Sequence, residues 1–325
     1  MQDKLVSIII PTYNKAQLVV KTLQSISEQT YQNWECIIVD DGSDEKDFLL
    51  IKNYTDLDSK FQLHKRPLDK PKGANTCRNY GISLSKGTYF QFFDSDDLML
   101  PFCLEGRIDQ MIKNDYDFVV FSMGIIKDDG YVKDSKDVIV QNWQEALHAF
   151  ISDQRLPWNL QRTLYKSELI KHKINFNEKL LRFQDVEFHI KLLSKYKPKF
   201  KIVSIIDCSY RKASASNPRS NQFHQNVFIS IPEFFNSISK YIPKDVLNTN
   251  ISNLQHWLYI IVSLYTTKAI PNKMLQNVIA SAKKNIKLTF KQSLMLKLLF
   301  FGKKYFVNVK GETYFFDLLK KVYKR

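Results

Sequence analysis

Short apolar runs alternate with helix-like segments over the first hundred residues, and this alternation constrains the fold more than any other feature. The apolar runs are typical of buried strands, and they are Val6–Ile10, Cys36–Val39, Phe61–His64 and Tyr89–Phe93. The segments between them have helical spacing of apolar residues, and they are Leu18–Gln29, Phe48–Tyr54 and Ala74–Ser85. Strands and helices that alternate at this pace predict an α/β fold with a doubly wound, mostly parallel sheet flanked by helices.

Polar segments follow three of the predicted strands at the points where those strands end. They are Pro11–Asn14, Asp40–Ser43 and Asp94–Asp97. Ligands of such sheets bind at the carboxyl ends of the strands, so we expect one site to collect all three segments.

The third segment carries three carboxylates, those of Asp94, Asp96 and Asp97, around Ser95. Carboxylates this close repel one another unless a cation lies among them. Hard divalent ions such as Mg²⁺ or Mn²⁺ prefer oxygen ligands and keep positions open for phosphate oxygens, so a metal site is one interpretation. A solvated acidic turn is the other, since Asp and Ser are common in turns.

Beyond Leu100 the pattern becomes mixed. The predicted elements are strands at 118–121 and 202–206, a hairpin turn at 128–130, and helices at 142–151 and 183–193. From residue 221 the chain is helical and basic, so we place a boundary near residue 220 and expect a basic helical C-terminal region over 221–325.

Positive charge is concentrated at the end of this chain of 325 residues, whose net charge is +15. Residues 283–325 carry twelve Lys or Arg against Glu312 and Asp317, interleaved with apolar side chains. This favours contact with an anionic membrane surface, where each basic residue contributes about 1 kcal/mol. Truncation near Ala282 would then abolish that contact and leave the nucleotide site folded. The alternative is that these residues form a solvated charged face. The sequence has no nucleic-acid recognition motif, so we expect no nucleic-acid partner.

The cysteines and the targeting features of the sequence indicate the cellular compartment in which we expect the protein. The four cysteines lack metal-ligand spacing, which favours a reducing compartment. The chain has no basic leader with a long apolar core and no run of about eighteen apolar residues, so we expect neither a signal peptide nor a spanning helix. We therefore expect a cytoplasmic protein, peripheral at the inner face of the plasma membrane if residues 283–325 bind lipid.

An ordered set of motifs runs through the first two thirds of the chain. The motifs are SIIIPTYN (Ser7–Asn14), VDDGS (Val39–Ser43), Gly73-Ala74-Asn75 with Arg78-Asn79 and Gly81, Gly87 and Tyr89 with FFDSDD (Phe92–Asp97), Gln184-Asp185, and Tyr210-Arg211-Lys212 with Ser214 and Ser216. This set resembles glycosyltransferase family 2, inverting enzymes of the GT-A fold that use nucleotide-activated sugars. The resemblance implies a catalytic domain over 1–220, with a nucleotide-binding half at 1–100 and an acceptor half at 101–220, in a bacterial surface-polysaccharide enzyme.

The resemblance assigns several residues to the base of the donor. Pro11, Thr12 and Tyr13 would present backbone and an aromatic ring on which a pyrimidine stacks. Asp41 would accept hydrogen bonds from a uracil-type base, which implies a UDP-linked donor. A turn or capping role is the alternative for Asp40 and Asp41, and we favour it for Asp40.

Other residues are assigned to the ribose, the diphosphate and the metal. Gly73 lets backbone approach a ligand, and the charges of Arg78 and Arg211 suit phosphate, with simple surface charge as the alternative for both arginines. By resemblance Asp94, with Ser95 beside it, binds the nucleotide. Asp96 and Asp97 would hold Mn²⁺ or Mg²⁺, and the sequence leaves open which of them faces the ion.

The general base is expected on the acceptor side, where the family has an acidic pair that here reads Gln184-Asp185. Asp185 is therefore the predicted base, with an N-cap role as the alternative. Trp158-Asn159 resembles an acceptor-side motif whose indole could stack on a sugar, and a core tryptophan is the alternative.

These inferences predict a metal-dependent transferase of hexosyl or N-acetylhexosaminyl type. It would move a sugar from a nucleoside-diphosphate sugar to a hydroxyl of a saccharide or lipid-linked saccharide. One rival is a catalytically silent sugar-nucleotide-binding protein, against which the set Asp94, Asp96 and Asp185 speaks. Another is a basic protein that binds membranes or nucleic acid, which the first hundred residues do not support.

Overall fold

The computed structural model describes residues 4–127, 130–133, 138–152, 156–211, 219–306, 321 and 323. The strands are β1 (Val6–Thr12), β2 (Trp34–Asp40), β3 (Phe61–Lys65), β4 (Tyr89–Phe92), β5 (Leu98–Met99), β6 (Phe118–Lys127), β7 (Gly130–Lys133), β8 (Thr163–Lys166) and β9 (Phe200–Arg211). The helices are α1 (Ala16–Ser27), α2 (Glu45–Thr55), α3 (Ala74–Leu84), α4 (Cys103–Asn114), α5 (Trp143–Ser152), α6 (Ser167–Ile170), α7 (Gln184–Tyr196), α8 (Asn221–Tyr241), α9 (Lys244–Tyr265), α10 (Asn272–Ile286) and α11 (Phe290–Tyr305). A 3-10 turn, Leu160–Arg162, precedes β8.

One sheet organises the described residues, in the order β3-β2-β1-β4-β8-β6-β9-β5, with β7 beside β6. Strands β1 to β4 pair in parallel, and every residue of β1 and β2 is buried. Successive β1 side chains enter different cores, since Ile8 packs in the cluster that contains Leu23 of α1 and Ile9 in the cluster that contains Ile82 of α3. The predicted α/β sheet with helices on both faces and a helical C-terminal extension is confirmed.

The second half of the sheet combines parallel and antiparallel pairs. β8 is antiparallel to β4 and β6, whereas β9 is parallel to β6. The pairing of β6 with β9 shifts register between Phe121 and Met123, and the far end of β9 pairs with β5 through Ser209 and Leu98. β9 therefore brings Arg211 to the acidic segment that follows β4.

Some segments singled out in the sequence lie outside the described residues. Asp128 and Asp129 of the predicted hairpin turn are among them, although β6 and β7 pair antiparallel on either side. Lys212, Ser214 and Ser216 lie outside as well, as does most of the basic tail after residue 306.

The C-terminal helices share their core with the sheet. A single cluster of buried apolar side chains, here called the shared core, joins Ile9 and Phe92 of the sheet to Phe228 of α8, Leu258 of α9 and Phe300 of α11. The boundary near residue 220 stays a prediction, and described residues on both of its sides belong to this cluster.

Helix α11 presents apolar side chains on two sides. Its N-terminus is a capping box formed by Thr289 and Gln292. On one side Leu296, Leu299 and Phe300 are buried in the shared core. On the other an exposed row, here called the outer stripe, has helical spacing and consists of Phe290, Leu294, Leu298, Phe301 and Tyr305. Within the described ranges, no helix combines the length and apolarity needed to cross a membrane.

Truncation near Ala282 would not be a clean test of membrane contact, and its expected effect stays a prediction. Ala282, Ile286, Leu288 and Leu296 are all buried in the shared core, so removing the residues beyond Ala282 would expose apolar surface on the rest of the protein. Membrane contact has to be tested by substitutions on the outer stripe instead.

Candidate active site

A cleft of about 840 Å³ opens at the carboxyl ends of β1, β2 and β4, the edge at which the sequence predicted a ligand site. Its walls contain twelve residues predicted for the site, namely Pro11, Thr12, Tyr13, Asp41, Gly73, Arg78, Asp94, Ser95, Asp96, Asp97, Asp185 and Arg211. The structure brings these residues together, and the role of each stays a prediction.

Asp41, just beyond β2, is oriented by two donors on one oxygen. Its Oδ1 accepts hydrogen bonds from Arg66 Nε at 2.7 Å and from the Gly73 backbone N–H at 3.1 Å. Gly73 has φ of +146°, which residues with a side chain rarely adopt, so glycine is needed for this contact. The carboxylate of Asp41 is therefore held in place before any ligand binds.

Asp40 shapes the turn beside it. Its Oδ2 accepts from the backbone N–H groups of Gly42 and Ser43, both at 3.0 Å. The side chain of Asp44 caps α2. The turn interpretation of Asp40 is confirmed, while Asp41 neither caps α2 nor accepts the turn N–H groups and instead lines the cleft.

Asp94 and Asp97, which follow β4, are bridged by one amide. Gln161 Nε2 donates to Asp94 Oδ2 at 3.1 Å and to Asp97 Oδ2 at 2.7 Å. The remaining oxygens accept from Arg78 Nη2 at 2.8 Å and from the Arg211 backbone N–H at 2.9 Å. Asp97 is 2% exposed, and burial together with the nearby charge of Asp94 raises its pKa to about 7. Arg78 is thus a buried partner of Asp94 and not a surface charge.

Asp96 also lines the cleft, but its side-chain partner comes from outside the sheet. Its Oδ2 accepts from Lys15 Nζ at 2.6 Å, and both side chains are partly exposed. In the described part of the chain, no group of three His, Cys, Asp or Glu is placed to surround a metal ion. Mg²⁺ is usually held by one or two carboxylates together with substrate phosphates. Asp96 therefore fits a divalent ion when a diphosphate supplies further oxygens, and Asp97, whose two oxygens are engaged, fits it less well.

A buried ion pair supports Gln161 from beneath. Arg107 of α4 donates to both oxygens of Asp207 of β9, at 2.6 and 2.8 Å, and both side chains are fully buried. Arg107 Nη1 also donates to the Gln91 side-chain oxygen and, at 2.8 Å, to the Gln161 carbonyl oxygen. Because this network joins α4, β4, β9 and the 3-10 turn, it fixes the backbone from which Gln161 reaches the two carboxylates.

Asp185 lies in the first turn of α7 and lines the same cleft. Its Oδ2 accepts from the Leu160 backbone N–H at 3.2 Å. Burial raises the pKa of Asp185 to about 6, a rise that the positive charge of Arg78 opposes and the negative charge of Asp94 increases. The N-cap of α7 is Phe183, so the N-cap alternative for Asp185 is wrong.

The backbone turns sharply just before α7. Phe183 has φ of +66°, a left-handed conformation that bulky residues rarely adopt. Its ring packs against Trp257 of α9 and Phe234 of α8, with centroids 5.0 and 5.7 Å apart. The C-terminal helices therefore hold the strained residue that positions Asp185.

Trp158 does not face the cleft. It is 1% exposed and packs against Phe118, Phe150 and Phe200. The sugar-stacking interpretation of Trp158 is wrong, and the core alternative is correct.

Three residues of the site escaped the sequence analysis: Lys15, Arg66 and Gln161. Each contacts a carboxylate at least 25 positions away in the chain, and none belongs to a motif. Only Arg66 offered a weak signal, since it directly follows a predicted strand as the other site segments do.

Comparison with known proteins agrees with this fold and cleft. A family model described as Glycosyl transferase family 2 matches residues 7–175, more than half of the chain. The chain therefore belongs to glycosyltransferase family 2, as the resemblance implied.

Three similar proteins illustrate the range of this likeness. The UDP-Glc:alpha-D-GlcNAc-diphosphoundecaprenol beta-1,3-glucosyltransferase WfgD of Escherichia coli is 33% identical over 132 residues, which are 41% of this chain and 51% of WfgD. The chain thus spans about half the length of that relative. TarS 1-349 of S. aureus, solved with UDP-GlcNAc, has a TM-score of 0.54 and 15% identity, with 94% of this chain and 95% of that chain covered. The mannosyltransferase PcManGT of Pyrobaculum calidifontis, solved with GDP-Man and Mn²⁺, has a TM-score of 0.53 and 14% identity, with 98% and 85% covered. At 15% and 14% identity, the likeness of these two structures to this chain shows a shared fold alone.

Proposed function

We propose that this protein is an inverting glycosyltransferase. It moves a hexosyl or N-acetylhexosaminyl group from a UDP-linked sugar to a hydroxyl of a saccharide or lipid-linked saccharide during polysaccharide synthesis. The observation that carries the proposal is that Asp185 shares one cleft with the segment Asp94–Asp97, close enough for the charge of Asp94 to raise its pKa. WfgD, which uses a UDP sugar and a lipid-linked acceptor by its name, and TarS, solved with UDP-GlcNAc, support the choice of donor and acceptor.

The base of the donor binds where β1 and β2 end. Tyr13 is 45% exposed and offers a ring on which a pyrimidine stacks, while Pro11 and Thr12 line the cleft beside it. Asp41, oriented by Arg66 and Gly73, accepts hydrogen bonds from the N–H of the base.

The ribose and the diphosphate lie along the acidic segment. Asp94, oriented by Arg78 and Gln161, accepts from the ribose hydroxyls, and Ser95 lines the cleft beside it. Lys15 and Arg211 line the same wall and bring positive charge to the phosphates. Asp96 would hold a divalent ion, Mn²⁺ or Mg²⁺, and this ion would neutralise charge on the departing nucleoside diphosphate. The likeness to PcManGT, solved with Mn²⁺, supports this assignment.

Transfer requires one bond to form and one to break at the anomeric carbon. The acceptor oxygen attacks from the face opposite the diphosphate, the bond from the anomeric carbon to the diphosphate oxygen breaks, and the configuration inverts. Asp185 takes the proton of the acceptor hydroxyl. Since its pKa is about 6, Asp185 is mostly ionised near pH 7 and can act as the base.

The proposal is tested by incubating the purified protein with Mn²⁺ and a panel of nucleotide sugars and measuring release of nucleoside diphosphate. We expect release from a UDP sugar, and loss of it on chelation or in Asp96→Ala. Asp109→Asn, which changes an exposed acid of a surface ion pair on α4, is the matched control and should behave as the parent. Full activity in excess chelator would remove the metal from the mechanism. The absence of both binding and turnover across the panel would refute the proposal and favour another role for the cleft.

We also propose that the protein attaches to the cytoplasmic face of a membrane through α11. Lys291, Lys297, Lys303 and Lys304 occur on the same helix as the exposed outer stripe, which combines cations with apolar side chains. A lipid-linked acceptor would then lie in the membrane to which the protein attaches.

A further inference from the structure

One wall of the cleft is built by the C-terminal helices and involves two arginines, of which Arg182 lines the cleft and Arg219 contacts a residue that lines it. Phe223 of α8 and Tyr265 of α9 line the cleft there, together with Arg182 from the turn before α7. Arg219, just before α8, donates from Nη1 to the Tyr265 hydroxyl oxygen at 3.1 Å. This wall, here called the arginine wall, lies on the same side of the cleft as Asp185, which α7 carries.

Aromatic rings hold both guanidinium groups in place. The Arg182 guanidinium carbon lies 4.0 Å from the centroid of the Phe223 ring, and that of Arg219 lies 4.8 Å from the same centroid and 5.5 Å from that of Tyr265. The backbone N–H of Arg182 also donates to the Ser230 side chain of α8, at 3.0 Å. Both cations are thus positioned by contacts that leave their charge unneutralised.

The arginine wall has an excess of positive charge. Among the described residues, no carboxylate forms an ion pair with Arg182 or Arg219. Arg182 is half-buried, and burial together with the charge of Arg219 lowers its pKa. Of the described carboxylates, that of Asp185 acts on the charge of Arg182, and its proposed task is to take a proton from the acceptor. An anion supplied from outside would relieve the repulsion between the two arginines.

We propose that the arginine wall binds an anionic group of the acceptor, a phosphate or a carboxylate carried near the hydroxyl that receives the sugar. The inference rests on the proposed function and narrows its acceptor to a charged saccharide. Guanidinium groups suit both anions, because their paired N–H donors match two oxygens at once. Phosphate of a lipid diphosphate or of a phosphate-containing polymer and carboxylate of an acidic sugar share this chemistry.

In the proposed function, other cations than those of the arginine wall serve the donor diphosphate. Lys15 contacts Asp96, and the backbone of Arg211 contacts Asp97, so both belong to the acidic segment. The arginine wall is carried by α8, α9 and the turn before α7, which also position Asp185. An anion bound there would place its neighbouring hydroxyl on the side of the base.

The test measures binding to full-length protein saturated with UDP and Mn²⁺, so that the donor phosphate site is filled. The probes share one undecyl chain and are a neutral N-acetylglucosaminide, the corresponding sugar diphosphate and a glucuronide. We expect at least one charged probe to bind about 10-fold or more tightly than the neutral one, as for a charge-assisted contact. Comparing the diphosphate with the glucuronide then distinguishes phosphate from carboxylate.

Substitutions of the two arginines test whether the arginine wall is where the charged probe binds. Arg182→Gln and Arg219→Gln should each weaken binding of the preferred charged probe about 10-fold and leave the affinity for UDP and for the neutral probe unchanged. Arg182→Lys should recover part of the loss by restoring the charge. Lys52→Gln and Lys113→Gln remove the same charge from surface ion pairs and should have no effect.

Each outcome decides between the two proposals. A protein that fails to bind UDP contradicts the proposed function. Normal UDP binding with equal affinity for charged and neutral probes overturns the inference alone. An equal loss of UDP affinity in both arginine variants would assign the arginine wall to the donor and would also overturn it.

Discussion

The carboxyl group of Asp185 combines its proposed role as the base with a loss of stability. Its pKa is about 6 in the folded protein, against about 3.9 for an aspartate in an unfolded chain. The folded state therefore binds this proton more tightly than the unfolded state does. Below pH 4 the group is protonated in both states and has no effect on stability. Between pH 4 and 6 the unfolded chain ionises at Asp185 more readily than the folded protein does, so the contribution of Asp185 becomes destabilising over this range and stays so at neutral pH.

Replacing Asp185 by asparagine keeps the shape and removes the basicity. We expect turnover to fall about 100-fold or more, as for the loss of general-base assistance, with UDP affinity little changed. At pH 7.5 the free energy of unfolding should rise by roughly 1–2 kcal/mol, and this gain should disappear near pH 4. Steady-state kinetics and urea unfolding at the two pH values check both parts, with Asp109→Asn as the control. Near-normal transfer by Asp185→Asn would refute its assignment as the base.

The raised pKa of Asp185 also predicts the acid limb of the pH profile. Since the base must be ionised, kcat/KM should increase about tenfold per pH unit below pH 6 and level off above it. The measurement uses saturating acceptor and varied donor between pH 4.5 and 8, in buffers of constant ionic strength. If the residual activity of Asp185→Asn keeps the same bend near pH 6, another group titrates there.

At the scale of elements, the acidic segment after β4 depends on a partner from the 3-10 turn before β8. Gln161 supplies a neutral donor to Asp94 and Asp97 at once, so the two carboxylates can lie close together without a second cation. Arg107 and Asp207 beneath it link α4 to β9. The geometry of Asp94, which we propose binds the ribose, therefore rests on a side chain that need not touch the donor.

Replacing Gln161 by leucine tests this positioning role. Without the amide, Asp94 and Asp97 repel each other and Asp94 loses one of its two anchors. We expect the affinity for UDP to fall about 10-fold while the free energy of unfolding falls by only about 1 kcal/mol. Gln62→Leu, which removes a partly buried amide that donates to Glu35 away from the cleft, should cause a similar loss of stability and leave UDP affinity unchanged. A parallel fall in both variants would make Gln161 a structural residue only.

Elements and contacts differ in how far the sequence predicts them. The strands of the first half were predictable because each is a short apolar run, and their parallel order places Asp41 and Asp94 at one edge. The contacts of Arg66 and Gln161 with the site carboxylates were not predictable, because their hydrogen bonds join residues far apart in the chain. The assignment of a stacking role to Trp158 failed for the same reason, since its burial depends on β6, α5 and β9 together.

At the scale of the whole molecule, α11 connects the shared core to the surface. Leu296 and Leu299 anchor it on the inside, while the outer stripe leaves large apolar side chains in solvent, with Phe290 80% exposed. Monomeric proteins seldom expose such rows without a use. The basic residues on the same helix favour an anionic lipid surface as its partner.

Serine substitutions on the outer stripe test membrane contact without opening the core. The parent should sediment with liposomes containing anionic lipid at low salt and be released at high salt, because salt screens the attraction. The double variant Phe290→Ser with Phe301→Ser should lose most of this binding. Leu57→Ser with Leu68→Ser changes two equally exposed apolar residues elsewhere and should bind as the parent does. If the parent ignores anionic liposomes at low salt, the outer stripe has another partner.

The shared core limits how relatives of this protein can be recombined. A chimaera that joins residues 1–220 to the C-terminal helices of another member would replace Phe228, Leu258 and Phe300 while keeping Phe92 and the other residues packed around them. Core side chains whose volumes match one set of C-terminal helices would then pack against a different set. Such mismatched cores lose stability through cavities or overpacking. Acceptor preference is therefore better exchanged by grafting individual positions of α8 and α9 than by exchanging the helices as a module.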